Sequence, residues 1–172
     1  MIKVAITGVI GSGKSYIAGQ MKELLGIPVY DSDSNAKRLN EESETIRRGL
    51  VSMIGADVYD ADGHLDKSRL ASFLFASEEN ASRVNALVHP VVREDFLRWA
   101  DEQHSPVVAI ETALLLESGI DKLVDKVIRV DAPLETRIAR AMRRDGVGRE
   151  KILERIARQK EYPNPDIIIN NV

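Results

Sequence analysis

The chain has 172 residues, 44% of them hydrophobic and 30% charged, with a formal net charge of −3, the profile of one globular domain able to bury a core. That charge gives no general attraction to nucleic acid or anionic membranes, and the lack of cysteine excludes disulfides, thiolate metal sites and cysteine nucleophiles. No apolar run reaches the length of a membrane span, and glycines interrupt the apolar N-terminus too early for a secretory leader.

Ile2–Thr7 is short, β-branched and apolar, and reads as a buried parallel strand. Residues 8–15, Gly8-Val9-Ile10-Gly11-Ser12-Gly13-Lys14-Ser15, fit G-x-x-x-x-G-K-[ST] without a substitution. Residues 16–25 carry apolar side chains at 17, 18, 21, 24 and 25, the spacing of an amphipathic helix, and Gly26 stops it. Residues 27–30 predict a second strand, followed by Asp31-Ser32-Asp33 and a polar helix over 36–48. Leu50, Val51 and Ile54 repeat at helical spacing, residues 55–63 supply turns, and helices are expected over 66–75 and 78–87. His89-Pro90 predicts a break, because proline suits a helix start and not its interior, with a further helix over 91–102. Phe73, Phe75, Phe96 and Trp99 are the expected core of this helical stretch.

Strands then return at 106–110, ending at Glu111, at 125–130 and at 166–170, with helices over 134–144 and 150–160 divided by Gly146-Val147-Gly148. Strands alternating with helices predict an α/β fold with a five-stranded parallel sheet covered on both faces, a three-layer arrangement. The expected division is a core of residues 1–46 and 104–172, an inserted helical lobe at 47–103 and a lid at 135–160.

A strand feeding a glycine-rich turn that opens a helix aims backbone N–H groups and the helix's positive end at one point, which suits a polyphosphate. Lys14 is then placed for the β- and γ-phosphates and Ser15 for Mg²⁺. Ligands of open α/β sheets gather beyond the carboxyl ends of the strands, where Asp31, Asp33, Glu111 and Glu117 are expected. A carboxylate near a γ-phosphate can accept the proton of an attacking hydroxyl. Asp33 is taken as that base and as a water-mediated contact to Mg²⁺, with Asp31 as its structural or metal-shell partner. The plainer reading of either aspartate is a helix cap. Arg137, Arg140 and Arg144 fall on one helical face beside a glycine hinge, as a flap neutralising a transferring phosphoryl group would require. Arg140 and Arg144 are taken for that role; for the remaining arginines of this stretch, Arg137 included, i,i+4 pairing with Glu135, Asp145, Glu150 and Glu154 is the simpler account. His64 and His104 sit in polar loops, and His89 before its proline reads as a junction residue beside the cleft.

Taken together, these motifs resemble the dephospho-coenzyme A kinase family, of the nucleoside-monophosphate-kinase-like P-loop group. The resemblance runs over nearly the whole chain: the loop; Asp31-Ser32-Asp33-Ser34-Asn35-Ala36-Lys37 against D-A-D-x-x-A-R; Gly63-His64-Leu65-Asp66-Lys67-Ser68-Arg69-Leu70 against G-x-L-D-R-x-x-L; Leu87-Val88-His89-Pro90 at the H-P junction; Arg155-Ile156-Ala157-Arg158-Gln159 after Arg144-Asp145; and Asp166-Ile167-Ile168-Ile169-Asn170 at the last strand. Val9 replaces a family glycine, Ala113 and Leu116 depart from the P-L-L-F-E motif that Leu114-Leu115-Leu116-Glu117 matches in part, and the family usually continues beyond the position of Val172.

The resemblance implies transfer of the ATP γ-phosphoryl group to the ribose 3′-hydroxyl of dephospho-CoA, in the last step of CoA biosynthesis, with ATP and Mg²⁺ as cofactors. It implies Asp33, Lys14 and Arg140 as catalytic residues. Gly11, Ser12, Gly13, Lys14, Ser15, Tyr16, Arg144 and Asn170 are expected at the nucleotide, the last near the adenine. Asp31, Asp33, His89, Glu111 and Leu114 are expected at the acceptor, and the helical lobe as the CoA-binding domain. The expected protein is cytoplasmic, a monomer or weak homo-oligomer, without nucleic-acid or membrane partners. The rival readings are a kinase of the same fold for a nucleoside, nucleotide or sugar acid, and a nucleotide-binding module without catalysis. A GTP-binding switch is disfavoured because no N-K-x-D base-reading sequence is present.

Overall fold

The computed structural model describes residues 1–172. Its strands are β1 (Ile2–Thr7), β2 (Val29–Asp31), β3 (Val107–Glu111), β4 (Lys126–Asp131) and β5 (Ile167–Asn170). Its helices are α1 (Lys14–Leu25), α2 (Ser32–Glu42), α3 (Glu44–Ile54), α4 (Lys67–Ala76), α5 (Glu78–Asp101), α6 (Leu134–Asp145) and α7 (Arg149–Arg158). The five strands form one sheet in the order β2-β3-β1-β4-β5, every pair parallel. The expected parallel sheet is therefore present, with strand boundaries shifted by at most two residues.

By contact the chain divides into one unit of Met1–Asp31 with Ala100–Val172 and a second of Ser32–Trp99. The second unit starts at Ser32, ahead of residue 47, where the sequence placed the lobe. In the first unit β1 is central and buried from Val4 to Thr7, and Ile6, Ala18, Ala109 and Val130 make a buried cluster against which Ile17, Met21, Ile27 and Val29 pack. Of the apolar face predicted for α1, Ile17, Ala18 and Met21 enter this cluster, whereas Leu24 and Leu25 are exposed. Register places Asp31 opposite Glu111 and Ile6 opposite Glu111. The ends of β1, β2 and β3 thus line up along one edge of the sheet. The last strand is fastened by Asp166, whose carboxylate accepts from Lys126 Nζ and Val127 N, both at 2.8 Å.

The second unit is helical and departs from two expectations. The polar helix predicted over 36–48 is two helices, because Ser43 leaves the helical conformation and its Oγ caps α3 by accepting from Ile46 N. The break predicted at His89-Pro90 is absent, and α5 runs through Pro90 for 24 residues. A helix-interior proline costs about 3 kcal/mol. Val84, Val88, Val92 and Phe96, one turn apart on a single face, are all buried, and at about 1.5–3 kcal/mol each this stripe across the proline outweighs the loss. Phe96 stacks on Trp99 at 6.3 Å, as the core expectation had it. Phe75 is 85% exposed and does not belong to that core, since it follows Leu70 by five residues and so points off the buried face of α4. Asp95, buried, ties α5 to α2 by accepting from Arg38 at 2.6 Å and Arg98 at 2.5 Å.

Candidate active site

The glycine loop joins β1 to α1 at the point where the strand order switches direction, β3 and β2 lying to one side and β4 and β5 to the other. That crevice is where open α/β sheets bind ligands. Two glycines are required there for separate reasons. Gly11 has φ +76 and a Cβ on it would strike the Arg137 carbonyl. Gly13, φ +89, is the residue before α1, and a Cβ there would strike the Asn171 side chain. No side chain caps α1, so its first-turn N–H groups, which have no intrahelical carbonyl, supply positive charge to the loop. Ser12 Oγ is buried without a hydrogen-bond partner.

The loop's main chain is fastened by side chains from the C-terminal part of the chain. Gln159 Oε1 accepts from Ile10 N at 2.6 Å. Asn171 Nδ2 donates to Ser12 O at 3.0 Å, and Arg140 Nη1 reaches Ser12 O at 3.5 Å and Asn171 O at 3.1 Å. Arg137 turns to Ala132 O at 3.1 Å. Gln159 and Asn171 are not among the residues singled out from the sequence. Gln159 lay in a recognised stretch, whereas nothing local distinguishes Asn171 from its neighbour. Asn170, the residue expected near the base, ends β5 in register with Asp131 of β4 and is exposed.

Ser15 Oγ donates a short hydrogen bond to Glu111 Oε1. Glu111 was expected at the acceptor, and in the structure it accepts from the hydroxyl assigned to the metal. With Asp31 next in register, hard oxygen donors converge beside the loop. No group of three His, Asp or Glu side chains is placed to hold a metal ion. Mg²⁺ needs no such cage, being bound by one or two carboxylates with waters and phosphates. Lys14 is half-buried as the first residue of α1, and Tyr16 is 61% exposed. Leu114 follows β3, 40% exposed, its N–H on Thr112 Oγ1 at 3.1 Å. Asp33 and His89 lie in the helical unit, Asp33 in the first turn of α2 and His89 half-buried on α5.

The arginine-rich pair α6–α7 is closed by Ile138, Ala141 and Ile152 with Ile10, Met142, Val147 and Ile156 around them. Two ion pairs cross it: Arg149 to Glu135 through two bonds of 2.7 Å, and Arg155 to Asp145 at 2.8 Å. Arg144, expected at the nucleotide, pairs with the adjacent Asp145 at 2.7 Å. The hydrogen bond from Arg144, with help from Arg155, holds the Asp145 carboxyl below its ordinary range, and that from Arg149 does the same for Glu135. An acid with a lowered pKa contributes stability above its unfolded value, about 4.3 for glutamate, and loses it as pH falls through the lowered one. The α6–α7 tie is thus intact at neutral pH and lost only in acid. Arg149→Ala is expected to return the Glu135 pKa toward the ordinary value in an NMR titration, and an unmoved titration would contradict the pairing.

Gln159→Ala strands the Ile10 N–H. We expect a loss of about 1 kcal/mol, hence a Tm lower by about 2–4 °C, with a raised KM for ATP. Unchanged melting and KM would remove Gln159 from the loop's support.

Sheet order, loop and converging oxygen donors define a P-loop kinase fold. The family model for dephospho-CoA kinase matches residues 2–171. A Porphyromonas gingivalis protein named dephospho-CoA kinase is 47% identical over 160 residues, 93% of this chain and 78% of that one. One from Bacteroides fragilis is 42% identical over 159 residues, 92% and 77% of the two chains. A solved structure from Thermus thermophilus aligns with TM-score 0.81 and 32% identity over 99% of this chain and 88% of the other. The chain belongs to the dephospho-CoA kinase family.

Proposed function

We infer that the protein phosphorylates the ribose 3′-hydroxyl of dephospho-CoA with ATP, giving CoA and ADP. The glycine loop at the switch point carries the reading, since its backbone is shaped for a polyphosphate and its family acts in this reaction.

Catalysis of phosphoryl transfer is mainly positioning and charge stabilisation. The loop amides and Lys14 would hold the β- and γ-phosphates, with Gly11, Ser12 and Gly13 setting the curve of the main chain. Ser15 and Glu111, with Asp31 nearby, would hold Mg²⁺, which when bound neutralises charge on the phosphate oxygens. Asp33 would accept the proton of the 3′-hydroxyl as its oxygen bonds to the γ-phosphorus and the bond from that phosphorus to the β,γ-bridging oxygen breaks. Arg140, already at the loop, would meet the charge that develops. Arg144 would join only by exchanging its Asp145 partner for phosphate, as part of a lid at 135–160. Tyr16 and Asn170 belong to the nucleotide side of this reading, and His89 and Leu114 to the acceptor side.

No helix is long and apolar enough to cross a membrane. The reading extends to a cytoplasmic enzyme acting as a monomer or weak homo-oligomer on small molecules alone. ADP release measured over a panel of dephospho-CoA, nucleosides, nucleotides and sugar acids tests it. Release with dephospho-CoA alone is expected; preference for another acceptor would reassign the substrate, and release with none would leave a binding module.

A further inference from the structure

The peptide between Ser12 and Gly13 lies at the bend of the glycine loop, and two side chains of the first unit meet at its oxygen. Asn171 Nδ2 donates to Ser12 O at 3.0 Å, and Arg140 Nη1 reaches the same oxygen at 3.5 Å. A carbonyl only accepts, so the Asn171 amide must turn its NH₂ to the loop. Asn171 is itself held through its main chain. Its N–H donates to Asp131 O at 2.8 Å, one residue past the register pair of Asp131 and Asn170, and its carbonyl accepts from Arg140 Nη1 at 3.1 Å. The ends of β4 and β5, with α6, thus aim this side chain at the loop.

A trans peptide is planar, with its C=O and N–H pointing in opposite directions. Fixing Ser12 O against Asn171 therefore sends the Gly13 N–H the other way, where it donates to no group of the chain. Gly13 has φ +89, and a Cβ on it would come within 2.1 Å of Asn171 Nδ2. Only glycine leaves room for the amide. The same residue gives the peptide freedom to turn over, because glycine accepts either sign of φ. A turned peptide would direct the Ser12 carbonyl, not an N–H, into the concavity of the loop, and successive N–H groups are what make such a concavity bind anions. The bond from Asn171 opposes that inversion.

Resting on the kinase reading above, we propose that Asn171 is a positioning residue for phosphate binding: by holding Ser12 O it keeps the Gly13 N–H aimed at the phosphates of the nucleotide. In this role Asn171 does not touch the nucleotide, and its effect passes through the main chain of the loop. The loop is preorganised, and ATP does not have to select one peptide orientation as it binds. The contribution is the same in ground state and transition state, so it is read in the KM for ATP and not in kcat.

Asn171→Leu tests the proposal, since leucine has nearly the shape of asparagine and no donor. Both main-chain bonds of residue 171 survive the change, so the fold is kept. The expected result is a KM for ATP raised about five- to tenfold, the worth of one hydrogen bond, with kcat and the KM for dephospho-CoA near wild type. Asn171→Ala, which removes the donor without adding apolar bulk, is expected to give the same rise; a rise in the leucine variant alone would make bulk the cause and overturn the proposal. The second readout is the Gly13 amide in proton–nitrogen correlation spectra. In wild type, saturating ATP moves this signal downfield as the N–H takes up a phosphate oxygen, and in Asn171→Leu that shift is lost or reduced. A wild-type shift in the variant overturns the proposal: with the ATP-to-GTP affinity ratio unchanged Asn171 is only a structural residue, and with the ratio altered it is a base contact. A Gly13 amide that ATP does not move in wild type overturns the loop assignment itself, and the kinase reading with it.

Discussion

Asp33→Asn is expected to lower kcat by about 10²–10⁴, the range for a lost general base, with the KM for ATP near wild type. Asparagine keeps the size of the side chain and one oxygen, but it cannot take the proton that the acceptor hydroxyl releases. The competing account is that Asp33 only favours the start of α2, where it is the acidic residue of the first turn. A charge there contributes about 0.3–1 kcal/mol, enough to shift melting by a few degrees and far too little to change turnover a hundredfold. The two accounts separate cleanly. A variant with lowered Tm and wild-type kcat would remove Asp33 from the mechanism, and one with wild-type melting and collapsed kcat is the expected outcome.

Lys14→Ala is expected to damage nucleotide engagement and turnover together. Lys14 opens α1 directly after the left-handed Gly13, and alanine is the better helix former, so α1 persists and the loss is that of the ammonium. Removing one preorganised electrostatic contact to a transition state costs about 10²–10³ in kcat, and here the KM for ATP rises as well because the same charge holds the ground-state phosphates. Calorimetric titration with ATP reads the binding part directly. Wild-type affinity and turnover in this variant would overturn the assignment of the loop.

Much of the first unit was legible because its signals are local. The run Ile2–Thr7 and the glycines at 11 and 13 carry their meaning within a few residues: a buried strand, then two positions whose positive φ only glycine adopts without strain. The parallel sheet followed from the spacing of apolar runs. What the sequence did not disclose depended on tertiary partners. The hydrogen bond from Ile10 to Gln159 spans 149 residues and that from Asn171 to Ser12 spans 159, and no periodicity reports such pairs. Pro90 read as a break because the rule for proline is local, whereas the buried stripe that carries α5 past it is a property of packing. Ser43 was a missed local signal, an ordinary capping residue directly before an acidic first turn. Arg144 was expected at the nucleotide, and what its helical face does not report is the pairing with the aspartate one residue away.

The most direct test of the central claim is to supply ATP, Mg²⁺ and dephospho-CoA and identify the product by mass and by phosphorus NMR. The account predicts stoichiometric ADP and a product heavier by one phosphoryl group, carrying a new 3′-phosphomonoester, which is CoA. Recovery of unmodified dephospho-CoA, or a phosphate at any other position, would contradict it.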